Sequence, residues 1–308
     1  MALSKKKENC DERSLLQQPP IDQESRGIAK MKFGVSAFAG TSNFGLQHLR
    51  LLPLMRGQGF DGFEIPMFDP AQIACSEVRR AFEASGLECT VCAILPEGIN
   101  PISADAALRR KSVDHLRRCI EASAELGAHL LGGPLFAPIG YFIERRRGDE
   151  EWKWAVDVFQ SLGDLLDAHD LILSIEPVNR SETFFLRTAS EAKTLCEEIG
   201  HPRLGVTIDT FHANIEEKSI SRAVQETGNH LKQVHASEND RGLLGTGHVD
   251  FPSIISILQQ LDYKGYLTIE GFGCSPNEPQ SLGNLWGDPN VTPEDIAIRG
   301  LRYLRQLL

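Results

Sequence analysis

The stretch LGVTIDTFH, residues 204–212, opens with a short apolar and β-branched run and reaches an acid at Asp209. A run of this length and character reads as a strand buried on both faces, as in a parallel sheet. Seven further runs share that character: FGVSAF (33–38), GFEI (62–65), CTVCAIL (89–95), AHLLG (128–132), LILSIE (171–176), LKQVH (231–235) and YLTIE (266–270). Between them lie segments of helical period, including VRRAFEAS, LRRKSVDHLRRCIEASAEL, AVDVFQSLGDLLDAH, AKTLCEEIG, FPSIISILQQL and the closing PEDIAIRGLRYLRQLL. Eight strand–helix pairs from Met31 onward average about 35 residues each, the size of one βα unit. This spacing predicts an α/β fold, a closed (β/α)8 TIM barrel. The 308-residue length would also accommodate two domains, but barrels of about 250 residues are commonly one unit, so residues 31–308 are expected to form a single catalytic domain. A doubly wound open sheet usually has fewer strands and often carries a glycine-rich phosphate turn after its first strand. Here that turn reads SAFAGTSNFG, without G-x-G-x-x-G or a P-loop, so no nucleotide cofactor is expected.

Residues 1–30 have a basic start but no apolar core of a secretory signal, and their composition is that of a disordered extension. Patterned sequence starts at Met31, which admits that residue as a natural start. The net charge of −10 lacks the basic footprint of a nucleic-acid binder, and Gly and Pro interrupt every apolar run before membrane-span length. No nucleic-acid or membrane partner is therefore expected. Seven cysteines, odd in number and scattered through strands and helices, fit reduced thiols and a cytoplasmic location. Cys89 and Cys92 fall on opposite faces of one strand, which favours core thiols over a metal or redox pair.

The last four predicted strands each finish on a metal-competent side chain: Glu176, Asp209, His235 and Glu270. Active sites of parallel barrels form at the C-terminal strand ends, and neighbouring strands lie about 4.8 Å apart, so these four can converge on one ion. An acid at a strand end can instead cap the next helix; four successive ends of ligand type make a metal centre the stronger reading. Three carboxylates and one imidazole are an oxygen-rich set that favours Mn2+, with Co2+ or Mg2+ as alternatives. Asn179, Glu182, His212 and Arg241 follow these ends closely and are expected in loops over the same mouth, where such groups can orient the hydroxyls of a small polyol. Holding a metal ligand in its orientation is the alternative role for His212 and Arg241, and the preferred one for Asn179.

The strings GFDGFEIP, IEPVNRSE, IDTFHANIEE, HASENDR and IEGFG, with the late NLWGD, resemble the ketose 3-epimerases, which belong to the xylose-isomerase-like barrels. GFDG is widespread in that superfamily, whereas EPVNR and DTFHxNIEE are more specific. The resemblance implies that Glu176, Asp209, His235 and Glu270 hold the metal and that Glu176 and Glu270 are the catalytic pair. It also implies that Glu182, His212 and Arg241 bind the O1 to O3 end of a free ketose of the tagatose, psicose or fructose type. Removing the C3 proton gives a cis-enediolate that a divalent ion stabilises, and inversion needs one carboxylate on each face. By the same resemblance the protein is expected to be a homodimer or homotetramer. In such epimerases the first strand and the loop after strand four supply aromatic contacts to the far end of the sugar. Here those stretches read GVSAFAG and GGPLFAPIGYF, and Ser36, Phe38, Met67, Phe136 and Tyr141 are candidates for that wall, with packing the preferred role for each.

Two other functions compete on the same barrel. An aldose–ketose or hydroxypyruvate-type isomerase would move a proton between C1 and C2 through a similar enediolate. A metal hydrolase of the apurinic-endonuclease type needs many more histidines than one among four ligands, and an acidic chain opposes it. The run ERRRGDEE (144–151) offers a sugar-phosphate grip or a solvated loop, and mixed charge favours the loop. Gly245 and Gly247 are expected to serve a tight turn, and the remaining histidines to be structural or exposed.

Overall fold

The computed structural model describes residues 31–275 and 282–308, so the expected extension 1–30 lies outside the described residues. Eight parallel strands close into one barrel in the order of the sequence: β1 (Lys32–Ser36), β2 (Gly62–Met67), β3 (Glu88–Ala93), β4 (Leu130–Gly133), β5 (Ile172–Ile175), β6 (Leu204–Asp209), β7 (Leu231–Ala236) and β8 (Tyr266–Ile269). The helices are α1 (Leu51–Gln58), α2 (Cys75–Ser85), α3 (Ala106–Glu125), α4 (Asp149–Gln160), α5 (Gly163–Ala168), α6 (Ala189–Ile199), α7 (Thr210–Glu216), α8 (Ile220–Thr227), α9 (Phe251–Gln260), α10 (Leu282–Trp286) and α11 (Pro293–Gln306). All eight expected strands form. The first ends at Ser36 rather than Phe38, because Ala37–Ala39 wind into a 3-10 turn whose Phe38 amide donates to Ser36 Oγ.

Local sequence sets the helix ends. Thr188 and Glu191 form a reciprocal capping box at the start of α6, and Thr292 and Asp295 do so at α11, where Pro293 takes the first helical position. The stretch AVDVFQSLGDLLDAH, expected as one helical segment, is two helices broken at Ser161–Leu162. Gly163 starts the second, and a Cβ there would lie 2.8 Å from the His201 ring. Glycine thus weakens the helix and admits the neighbouring ring.

Strand parity divides the side chains into two populations. Outward positions such as Phe63, Ile65, Leu173, Val206 and Val234 are buried in the large apolar cluster that includes helix residues such as Phe82 and Leu195. The inward set is polar: Glu64 on β2, Ser174 on β5, Thr207 on β6, Gln233 and His235 on β7, and Thr268 on β8, all buried. At the N-terminal floor, Glu88 accepts from Lys32 Nζ at 2.7 Å and Tyr266 Oη at 2.8 Å, with the His129 ring 3.7 Å away. No helix among the described residues is long and apolar enough to cross a membrane.

Candidate metal centre and active site

Glu176, Asp209, His235 and Glu270 meet at the C-terminal mouth, each offering a ligand atom within 4.8 Å of the others; all four are buried. Among the described residues this is the one such group of His, Cys, Asp or Glu side chains. The expected convergence of four successive strand ends is therefore present. Asp209 also caps α7, accepting the Phe211 amide through Oδ1 at 2.8 Å. The capping role and the ligand role use different oxygens, because Oδ2 faces the cluster and has no hydrogen-bond donor.

The donors fit a divalent cation. His235 Nδ1 is buried without a hydrogen-bond partner, 3.5 Å from Glu176 Oε1 and 3.7 Å from Glu270 Oε2. The Arg241 guanidinium is drawn into the same group, in an ion pair with Glu270 and 2.9 Å from Asp209 Oδ2, a contact without hydrogen-bond geometry. Buried carboxylates converging at this range need positive charge among them. A buried cluster of three carboxylates and one imidazole can bind a divalent metal.

Burial, with help from Asp209 and Glu270 and against His235, pushes the Glu176 carboxyl up to about 7. His235 moves the other way from ordinary burial: burial alone lowers it, but Glu64, Glu176 and Glu270 outweigh that and raise it well above the usual histidine range. His212 is held low by burial first and by Arg241 second, so its ring is neutral. Burial also raises Glu182.

The four residues expected over the mouth are there. Asn179 Nδ2 donates to Glu182 Oε1 at 2.9 Å and lies 2.9 Å from His212 Nδ1, while Arg241 Nη2 is 3.2 Å from His212 Nε2. Asn179 thus ties Glu182 to His212. His212 belongs to the first turn of α7 rather than to a loop, because the Asp209 cap starts the helix immediately after β6. Arg241 adopts the left-handed conformation with φ 60°. Its guanidinium carbon sits 4.4 Å from the Phe211 ring centre and 5.1 Å from that of Phe272, an arrangement that fixes its plane. The loop that carries it is folded around buried Glu238, whose carboxylate accepts the amides of Asn239, Gly245 and Val249 at 3.0–3.1 Å. Gly245 has φ 81° against the Tyr303 ring, so the tight turn expected there is present.

Glu176, Glu182, His212, Arg241 and Glu270 border a cavity of about 510 Å³ whose other walls are mainly apolar, including Phe38, Ile94, Pro134, Ile139, Val178 and Trp286. Of the five candidates for that wall, only Phe38 borders the cavity. Met67 lies three positions after inward-facing Glu64 and so points into the outer core, while Phe136 packs tilted against Phe185 and Tyr141 edge-on against Phe184. Ser36 is consumed in capping the turn after β1. Cys89 is a core thiol as expected, but Cys92 lines the cavity beside Phe38, because its parity turns it inward. Trp286 comes from the NLWGD string, whose side-chain directions no periodicity reveals. In the ERRRGDEE run, Arg145 pairs with Glu151, and Arg147 pairs with Glu191 at 3.4 Å with its guanidinium over the Trp152 ring; the solvated loop expected over 144–151 holds only as far as Gly148, because Asp149–Glu151 form the first turn of α4, with Glu151 buried.

The chain belongs to the xylose isomerase-like TIM barrel family, whose model matches residues 53–307. It is 31% identical over 277 residues to a probable ketose 3-epimerase of Synechocystis, covering 90% of this chain and 96% of that one. It is 32% identical over 287 residues to a ketose 3-epimerase of Arthrobacter globiformis, covering 90% and 97%. The crystal structure of a Methylomonas D-allulose 3-epimerase in complex with D-allulose superposes with a TM-score of 0.82 at 28% identity, covering 91% and 98%. Within the family the chain is thus a member of the ketose 3-epimerases, an enzyme of the isomerase class.

Proposed function

We propose that the protein inverts C3 of a free ketose of the tagatose, psicose or fructose type, with Mn2+ as the preferred ion and Co2+ or Mg2+ as substitutes. The observation that carries this reading is the placement of Glu176 and Glu270. They come from the ends of β5 and β8, strands that are not neighbours, meet in one buried cluster and both line the cavity. Glu176, Asp209, His235 and Glu270 would hold the ion, which supplies positive charge against the negative charge that develops on the cis-enediolate.

Glu176 takes the C3 proton on one face of the sugar and Glu270 returns one on the other, with the roles exchanged for the opposite epimer. Burial has brought Glu176 to about 7, the range in which a carboxylate accepts and releases a proton near neutrality. Glu182, neutral His212 and Arg241 orient the O1 to O3 end. The mainly apolar walls receive the far end, and Arg241 is the one Lys or Arg among the described residues lining the cavity. Because its charge is engaged by Asp209 and Glu270, the site favours a neutral sugar over a sugar phosphate. We place the enzyme in the cytoplasm as a homodimer or homotetramer.

The test is solvent exchange: Mn2+-loaded protein in D2O with a panel of free ketoses, followed by NMR. Deuterium at C3 together with the epimeric ketose is the expected result. Label at C1 or C2 with an aldose product would replace epimerisation by isomerisation, and absence of metal-dependent exchange across the panel would reject the reading for those sugars.

A further inference from the structure

One layer below the mouth lies a buried group that the proposed reaction does not use. Glu64, on β2, is fully buried, pairs with His235 but with no Lys or Arg among the described residues, and its Oε1 has no hydrogen-bond partner among them. Its other oxygen, Oε2, lies 2.5 Å from Gln233 Nε2 and 3.2 Å from His235 Nε2. Gln233 Nε2 also reaches Thr268 Oγ1 at 3.1 Å, and Gln233 Oε1 lies 3.5 Å from Thr207 Oγ1.

The donors and acceptors in this network can be assigned. A carbonyl oxygen of Gln233 would oppose the Glu64 oxygen at 2.5 Å, so the amide nitrogen faces it and donates. Glu64 Oε2 is then an acceptor, and its remaining lone pair is directed at His235 Nε2, which must carry hydrogen to donate. With Nε2 fixed as donor, the lone pair of the neutral ring is on Nδ1, the atom that faces Glu176 and Glu270 and has no protein partner. A buried carboxylate with an orphaned oxygen opposes folding, so stability does not explain its presence. Orienting the imidazole of a metal ligand does.

We propose that Glu64 is a positioning residue for the cation: through Oε2 it fixes the tautomer and ring orientation of His235 and presets Nδ1 as the metal-facing nitrogen. The inference rests on the metal-centre reading above. Gln233 serves the same end by filling the second acceptor direction of Oε2, which leaves His235 one orientation to adopt.

Two measurements on the full-length protein test it. Titration calorimetry of metal-stripped protein with Mn2+ compares the wild type with Glu64→Leu, which removes the acceptor, and Glu64→Gln, which keeps one. Affinity is expected to fall about 10- to 100-fold in Glu64→Leu, in the range seen when such an orienting partner is lost, and to recover at least in part in Glu64→Gln. The second measurement needs no variant: two-bond 1H–15N correlations of the Mg2+-loaded wild type should show His235 as the Nε2–H tautomer. A wild type that binds no Mn2+ overturns the metal-centre reading and this inference together. A wild type that binds Mn2+ while Glu64→Leu binds equally well, or whose His235 carries its proton on Nδ1, overturns the role of Glu64 alone.

Discussion

The two ends of this barrel treat charge in opposite ways: the floor keeps its carboxylate half-exposed and paired, and the mouth buries a cluster of them. At the floor, Glu88 is satisfied by Lys32 and Tyr266, and those hydrogen bonds hold its carboxyl below the usual range although burial, the largest influence, pushes it up. At the mouth, Glu176, Asp209 and Glu270 crowd round one imidazole, and Asp209 Oδ2, His235 Nδ1 and Arg241 Nε are left without hydrogen-bond partners. The floor closes its own electrostatics; the mouth leaves them open to an external cation. The same scaffold thereby separates the end that contributes stability from the end that contributes chemistry.

The sharpest way to break this contrast is to remove one mouth carboxylate. Glu270→Gln should lower the rate of C3 inversion about 10²- to 10⁴-fold, the usual contribution of a positioned acid or base, as read by NMR of the epimer ratio over time. Next in size is the effect of the cation on folding. Mn2+ at one hundred times its Kd should stabilise the protein by about 2.7 kcal/mol, raising the melting temperature in scanning fluorimetry, and a chelator should reverse the shift. A cation that left the melting temperature unchanged would mean that the mouth is not the open end.

Metal binding should also depend on pH, and the sign follows from the groups that the ion meets. Glu176 titrates at about 7 and His235 is raised well above its ordinary value, so below neutrality both hold protons that the ion must displace. Mn2+ affinity should therefore weaken as pH falls from 8 to 6, by roughly tenfold per unit for each proton displaced; calorimetry in buffers of different ionisation enthalpy checks both the trend and the proton release. The smallest effect belongs to the floor. Tyr266→Phe removes one hydrogen bond to Glu88 and should cost about 1 kcal/mol of stability in urea unfolding, with Mn2+ affinity and turnover unchanged.

The barrel was legible because eight apolar runs alternate with helical periods, and the metal centre because four of those runs reach an acid or a histidine where a parallel barrel puts its site. Glu64 was not legible as part of it. GFEIP carries its acid in the middle of an apolar run, and the partners that give it meaning, Gln233 and His235, come from β7, about 170 positions along the chain. The cavity wall was hidden for a related reason. Ile139, Phe272 and Trp286 lie outside the eight strands, where packing rather than strand parity decides which way a ring points. Within strands parity does decide, which is why Met67 falls outside the cavity and Cys92 inside.

The most direct test of the account is exchange read separately for each epimer. Glu176→Gln and Glu270→Gln, each loaded with Mn2+ and with metal content verified, would be incubated in D2O with one pure C3 epimer at a time. If the two carboxylates serve opposite faces, each variant loses inversion yet still exchanges the C3 hydrogen of one epimer, and the two variants choose opposite epimers. If both metal-loaded variants exchange the same epimer, or exchange both alike, the two-faced mouth is wrong.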